Sequence, residues 1–221
     1  MFYESKNKTC KGYMSDWKVV KMIKEEIAPG MVVYSNVIPN SDNLYKDIEE
    51  GMDSIKLKWG RAAAASGSSD NIDYKIRDTS SIGIPYKGRS EDLSLTSNVN
   101  EMFFTSLNNL FFEHFDPIEK DYMLTYKIGS DWHDTYGILK YGPGQQFTNH
   151  IDDSPKYHRR ISTVYYLNEN YTGGEIIFPR FDITFKPKAN QMIVFPSTYV
   201  YNHSVLPVIE GERYAVVSWM R

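Results

Sequence analysis

The chain has 221 residues, a formal charge of −3, and 41% hydrophobic and 14% aromatic residues. That length supports one well-buried domain, and the mild negative charge exerts no long-range pull on phosphate backbones, so nucleic acid is not an expected partner. A lone Cys10 forbids an intramolecular disulfide, the polar start Met1 to Tyr13 lacks a signal-peptide core, and no apolar run reaches the ~20 residues of a membrane helix. A reducing, cytoplasmic setting without membrane contact is the expectation.

Residues 1–30 read as an N-terminal extension with a helix, in which Trp17, Val20, Ile23 and Ile27 recur at helical spacing behind a Ser15 cap and before Pro29-Gly30. Residues 31–221 are expected to form a single domain. Met31 to Tyr34 reads as a short strand, and Leu44, Ile48, Met52 and Ile55 mark an amphipathic helix opening near Asn40 or Ser41.

Residues 60–92 mix four consecutive alanines with Gly, Ser, Asp and isolated aromatics without a sustained period. A strand around Tyr74 to Arg77 between irregular segments is expected there. From about Thr96, a broad stripe of Val99, Met102, Phe103, Leu107, Leu110 and Phe111 predicts a core-packing helix that stops before Pro117.

Beyond Asp116 the pattern turns to short alternating runs divided by Gly, Pro, Asn and Asp. Strands are expected over 137–141, 147–152, 159–168, 174–178, 181–186, 191–195, 199–205 and 213–220. Eight strands at this spacing predict a two-sheet jelly roll, a double-stranded β-helix or cupin-like core over about 131–221. The fold class is mainly β with flanking helices, the helices of the first half covering one sheet.

Within that core, His150-Ile151-Asp152 places an imidazole and a carboxylate two residues apart, on one face of a strand. Alone, such a pair is as ordinary as any His and Asp at an exposed strand end. Joined by the distant His203, it makes a two-His-one-carboxylate set, which suits a ferrous ion and leaves coordination positions open; a closed structural zinc site usually calls for several thiolates, and the chain has only Cys10. Ten residues after His203, Arg213 offers a permanently charged fork suited to a carboxylate, which points to an anionic co-substrate, although an arginine opening a terminal strand can also pair with a surface acid. The other histidines are weaker candidates. His114 lies on the aromatic-rich helix, His133 in a loop or hairpin turn, and His158 beside Arg159 and Arg160.

The run Tyr141-Gly-Pro-Gly-Gln-Gln-Phe147-Thr-Asn-His150-Ile-Asp152, then Arg160-Ile-Ser-Thr-Val-Tyr-Tyr166-Leu-Asn168, Gly173-Gly174-Glu175, Phe178-Pro179, His203 and Pro207-Val-Ile-Glu-Gly211-Glu-Arg213 resembles the prolyl 4-hydroxylase branch of the iron(II)/2-oxoglutarate dioxygenases. The likeness is close in the C-terminal half and looser around Ile76-Arg77-Asp-Thr-Ser80, which is similar to an Arg-x-Ser element of that family. It implies Fe(2+) held by His150, Asp152 and His203. It also implies 2-oxoglutarate with its far carboxylate on Arg213, O2 as oxidant, and ascorbate (vitamin C) supporting activity. By the same resemblance Tyr141 reaches the co-substrate near the metal and Tyr166 its distal carboxylate. Ser162 or Thr163 is also a candidate there, the register being ambiguous by one residue.

The implied reaction is hydroxylation of a C–H bond, that of a prolyl residue in a peptide or protein, with succinate and CO2 as co-products. Rival readings are a nucleic-acid-modifying oxygenase of the same superfamily and a non-catalytic cupin-like binding module. For substrate recognition, the segment 60–92 is expected to act as a lid whose Tyr74, Arg77 and Tyr86 pack on a proline ring and bind peptide carbonyls. Gly173-Gly174-Glu175 reads as a tight turn and Trp219 as core.

Overall fold

The structure is a computed structural model, and it describes residues 21–62, 75–85, 98–130, 132–155 and 158–221. In chain order the elements are β1 (Ile23–Ala28), β2 (Met31–Ser35), helix α1 (Leu44–Ser54), β3 (Gly60–Arg61), β4 (Ser80–Gly83), helix α2 (Val99–Tyr126), β5 (Gly137–Tyr141), β6 (Phe147–His150), β7 (Ile161–Tyr166), β8 (Thr172–Gly173), β9 (Ile176–Phe178), β10 (Ile183–Phe185), β11 (Gln191–Pro196), β12 (His203–Val205), β13 (Val208–Glu210) and β14 (Arg213–Met220).

An eight-stranded sheet runs β1-β2-β11-β7-β14-β5-β4-β3 and faces a four-stranded sheet ordered β10-β9-β12-β6; β13 and β8 pair separately. This is the expected two-sheet architecture. Side-chain alternation along the large sheet divides the core into two layers. Tyr34, Ile161, Tyr165, Met192, Val194, Tyr214 and Val216 pack towards α1 and α2, whereas Val33, Val164, Tyr166, Ile193, Ala215 and Val217 pack into the space between the sheets. The helices close one face of the large sheet, and the other face is left to build a site.

Four expectations need correction. The helix expected through Ile23 and Ile27 is, over its described part, the edge strand β1, antiparallel to β2. Its spacing of apolar residues suits either element, and the free edge of β2 supplies hydrogen bonds that a polar helix could not match. Trp17 and Val20 lie outside the described residues.

The helix expected to stop before Pro117 runs through it to Tyr126. Past the proline, Ile118 and Tyr122 are buried in the same layer as Phe111 and Phe115, and the Tyr122 hydroxyl donates to the Gly30 carbonyl at 2.7 Å. Burial of such side chains stabilises by roughly 1.5–3 kcal/mol each, which together exceeds the ~3 kcal/mol cost of an interior proline. Val99 and Met102 of the expected stripe are exposed, at the start of the helix.

The strand sought at 74–77 is found later, as β4, which joins β5 in register Ile82 with Ile138. Arg77 forms an isolated β-bridge with Phe147 outside any named strand, and Tyr74 is outside the described residues. The expected strand 199–205 is a 3-10 turn at Tyr199–Tyr201 followed by the short β12.

Candidate metal and co-substrate site

β6 and β12 of the small sheet are antiparallel neighbours in which His150 faces His203, and the chain bends after β6 to bring Asp152 beneath both rings. One ligand atom from each of the three side chains lies within 4.8 Å of the others. The imidazole centroids are 4.2 Å apart. His150 Nε2 is 3.6 Å from Asp152 Oδ1, and His203 Nε2 is 3.9 Å from Oδ2.

The tautomers follow from the neighbours. His150 Nδ1 lies 2.8 Å from the Thr148 carbonyl, and His203 Nδ1 lies 3.1 Å from the Tyr201 carbonyl. A carbonyl only accepts, so each Nδ1 carries a proton, and each Nε2 is the ring atom left to face the shared centre. Burial, reinforced by the neighbouring His203, lowers the pKa of His150 well below the usual imidazole range. Burial alone would raise that of Asp152, but the two imidazoles, the Ser162 hydroxyl and the Trp219 side chain more than offset it and keep the carboxyl low. Two imidazole nitrogens and one anionic oxygen fit a divalent iron with open positions.

Asp152 is held from behind. Ser162 Oγ donates to Asp152 Oδ2 at 2.7 Å, and Ser197 Oγ stands 2.8 Å from Ser162 Oγ. The Arg159 guanidinium lies 3.6 Å above the Trp219 ring and reaches the Asp152 carbonyl at 3.4 Å and Asp134 at 3.3 Å. Trp219 therefore lines the site, where core packing alone was expected, and Ser197 had no sequence signal at all.

Of the alternatives Ser162 and Thr163, the structure turns Ser162 into the space between the sheets. Thr163 points the other way, its hydroxyl bonded to the Ser218 carbonyl at 3.1 Å, between Ile161 and Tyr165 of the helix-facing layer. Thr163 is thus no co-substrate contact. Ser162 sits at the metal end of β7, on Asp152. Tyr166, four residues on, is ~13 Å further along the strand.

At that far end β14 begins with Arg213, opposite Tyr141 of β5. The guanidinium is 1% exposed, lies 4.9 Å from the Tyr141 ring and 5.1 Å from the Tyr166 ring, and leaves Nε without a hydrogen-bond partner. The buried hydroxyls of Tyr166 and Tyr171 are also unpartnered. Among the described residues no carboxylate pairs with Arg213. A buried cation surrounded by unused donors is costly unless an anion completes it, and a carboxylate such as the distal one of 2-oxoglutarate fits.

Gly174 makes the room: at φ +65°, a Cβ there would meet Arg213 Cδ at 3.0 Å and Tyr171 Cε2 at 3.2 Å. The Gly173-Gly174 turn is therefore a packing requirement of the pocket as well as a turn.

The other histidines stay outside the cluster. His133 bridges in β fashion to Met220 and bonds Glu119 of α2 at 3.1 Å, more ordered than the loop expected for it. Arg77 stands at the rim, its guanidinium 4.7 Å from the Phe147 ring, which stacks on His150 at 3.5 Å. Tyr86, like Tyr74, is outside the described residues.

Comparison with known proteins agrees with this geometry. Over 83 residues the chain is 37% identical to a PKHD-type hydroxylase of Prochlorococcus marinus (strain MIT 9215), covering 35% of this chain. It spans 37% of the length of that protein and of a second relative from strain NATL2A, little more than a third in each case. In fold it is similar to a Pseudomonas putida prolyl-4-hydroxylase, with a TM-score of 0.63 and 20% identity over 87% of this chain and 92% of that one. It is also similar to a Trichoplax adhaerens prolyl hydroxylase in complex with a hypoxia inducible factor oxygen degradation domain peptide fragment, with a TM-score of 0.62 and 17% identity over 86% and 83%. The family model of the 2OG-Fe(II) oxygenase superfamily matches residues 136–221, the stretch that carries both the His-Asp-His cluster and Arg213. Residues 136–221 thus belong to the 2OG-Fe(II) oxygenase superfamily.

Proposed function

We propose that the chain is an iron(II)- and 2-oxoglutarate-dependent dioxygenase that hydroxylates a prolyl residue in a peptide or protein, releasing succinate and CO2. The observation that carries the reading is the pairing, between the same two sheets, of a two-His, one-Asp donor set with a buried arginine that has no acid partner among the described residues. When bound, iron, 2-oxoglutarate and dioxygen supply the oxidising chemistry, with ascorbate keeping the iron ferrous. The protein's own part is positional. His150, Asp152 and His203 hold the ion on one face, Arg213 and Tyr166 grip the far carboxylate, Tyr141 borders the co-substrate, and the walls between the sheets exclude water.

The prolyl assignment is supported by the prolyl hydroxylases among the proteins to which the chain is similar. Arg77, on the rim beside the Phe147-His150 stack, is assigned to peptide carbonyls, and residues 31–221 to one domain, with β1 extending its large sheet. The lone Cys10 suits a reducing, cytoplasmic setting.

Incubation of proline-containing peptide libraries with protein, iron(II), 2-oxoglutarate and ascorbate should yield succinate and peptides heavier by one oxygen atom on proline, and Asp152→Ala should abolish both. Succinate formation at the parent rate by Asp152→Ala would overturn the site. Oxygen gain on another residue, or on nucleic acid in place of peptide, would overturn the substrate.

A further inference from the structure

We infer that Tyr171 is a third phenolic ligand of the Arg213 pocket, donating its hydroxyl to the distal carboxylate of the co-substrate beside Arg213 and Tyr166. The inference rests on the co-substrate reading above and adds a residue to it. Three buried polar groups meet here without partners: Arg213 Nε, the Tyr166 hydroxyl and the Tyr171 hydroxyl. Burial raises the pKa of both phenols, and the Arg213 charge pulls back only part of that rise. Both therefore keep their protons at neutral pH. The phenol oxygens can accept from Arg213, but among the described residues no carboxylate receives the guanidinium and the two hydroxyl protons, and an ionised carboxylate, with about four lone-pair sites, is the complementary group.

Tyr171 is built into this place from several sides. It lies in the connection just before β8, so no strand alternation aims it. Its ring and the Arg213 stem share the space above Gly174, where a Cβ would approach both. A Cβ on Gly211 would come within 3.1 Å of the Tyr171 Cα. Across the ring, Lys186 Nζ lies 4.2 Å from the centroid, donates to the Gly173 carbonyl at 2.5 Å, and is 3.5 Å from Glu175. A side chain that is 6% exposed and clamped in this way cannot swing its hydroxyl out to water. Because Tyr171 stands at the Arg213 end, its effect falls on the far carboxylate and leaves the metal cluster untouched.

The test is Tyr171→Phe, which keeps the ring packed on Arg213 and Lys186 and removes only the hydroxyl. Anaerobic calorimetry on the iron(II)-loaded protein should show 2-oxoglutarate affinity about ten- to a hundredfold weaker than in the parent, the span expected for one lost hydrogen bond to a charged group. Iron(II) affinity and the melting temperature should not move. Parent-like 2-oxoglutarate binding by Tyr171→Phe, while Arg213→Met fails to bind it, would overturn the inference and leave the proposed function standing. A fall in co-substrate affinity matched by falls in iron affinity and melting temperature would make Tyr171 a structural residue and equally overturn it. A parent protein that binds iron but not 2-oxoglutarate would remove the proposed function, and the inference with it.

Discussion

Ser162 gives its only proton to Asp152 Oδ2, at 2.7 Å, so the contact with Ser197 at 2.8 Å must be completed by the Ser197 hydroxyl. The two serines form a directed chain that ends on the single carboxylate of the donor set. A partner of this kind fixes which oxygen faces the ion and stabilises the ionised form. Ser162→Ala should weaken iron(II) binding about ten- to a hundredfold, the usual cost of losing a group behind a metal ligand. Ser197→Ala should act in the same direction but less. Metal titration beside a melting curve checks both, and undiminished iron affinity in Ser162→Ala would contradict the role.

Arg213 should carry a stability cost that its ligand repays. A fully buried guanidinium without an acid is replaced by methionine of similar volume at no loss, or at a gain, in the ligand-free protein. Arg213→Met should therefore melt no lower than the parent without ligand. With metal present, 2-oxoglutarate at a hundredfold excess over its Kd should stabilise the parent by about 2.7 kcal/mol and the variant not at all. Thermal melts in the two states decide it.

The paired glycines of the β8 turn should differ in what they break. At Gly173, φ is +73° and a Cβ would stand 2.3 Å from the Pro207 carbonyl oxygen, which is backbone that cannot step aside. Gly173→Ala should destabilise the fold by about 2 kcal/mol or more. At Gly174 the obstructed atom belongs to the Arg213 side chain, so Gly174→Ala should lose less stability and more 2-oxoglutarate affinity. Urea unfolding and co-substrate titration of both variants separate the effects.

His133 predicts a pH dependence remote from the metal. Burial alone would lower its pKa, but the hydrogen bond and charge of Glu119 more than offset it and the net direction is up. A folded pKa above the unfolded value of about 6.5 means that protonation favours the native state. That contribution is full below pH ~6.5 and is lost as pH rises through the higher folded value. Urea midpoints should fall across that window in the parent, and Glu119→Gln should flatten the slope.

Much of the second half was legible because its information is local. Alternation marked β5 over Gly137–Tyr141 and β14 over Arg213–Met220 with their bounds as found. His150 and Asp152 drew notice because their side chains can converge within three residues, and Arg213 because its ten-residue distance from His203 resembles the family pattern. Local spacing also misled, since Ile23 and Ile27 satisfy a helix period yet form an edge strand, and Pro117 looked like a stop although the buried face of α2 continues past it.

What the tertiary structure alone decided is which way neighbouring side chains face and what stands across from them. Ser162 and Thr163 differ by one residue, and only the pairing of β7 between β11 and β14 sends the first to Asp152 and the second to the helix layer. Tyr171 lies in no periodic element, so its place against Arg213 arises from the close approach of β8 and β13 at Gly173 and from the space left at Gly174. The sequence by itself determined the identities of the groups that meet, through strand period and the chemistry of their side chains. The packing of the sheets determined that Arg213 would be buried with no acid partner among the described residues, because the surrounding strands bring tyrosines to the point where its charge stands.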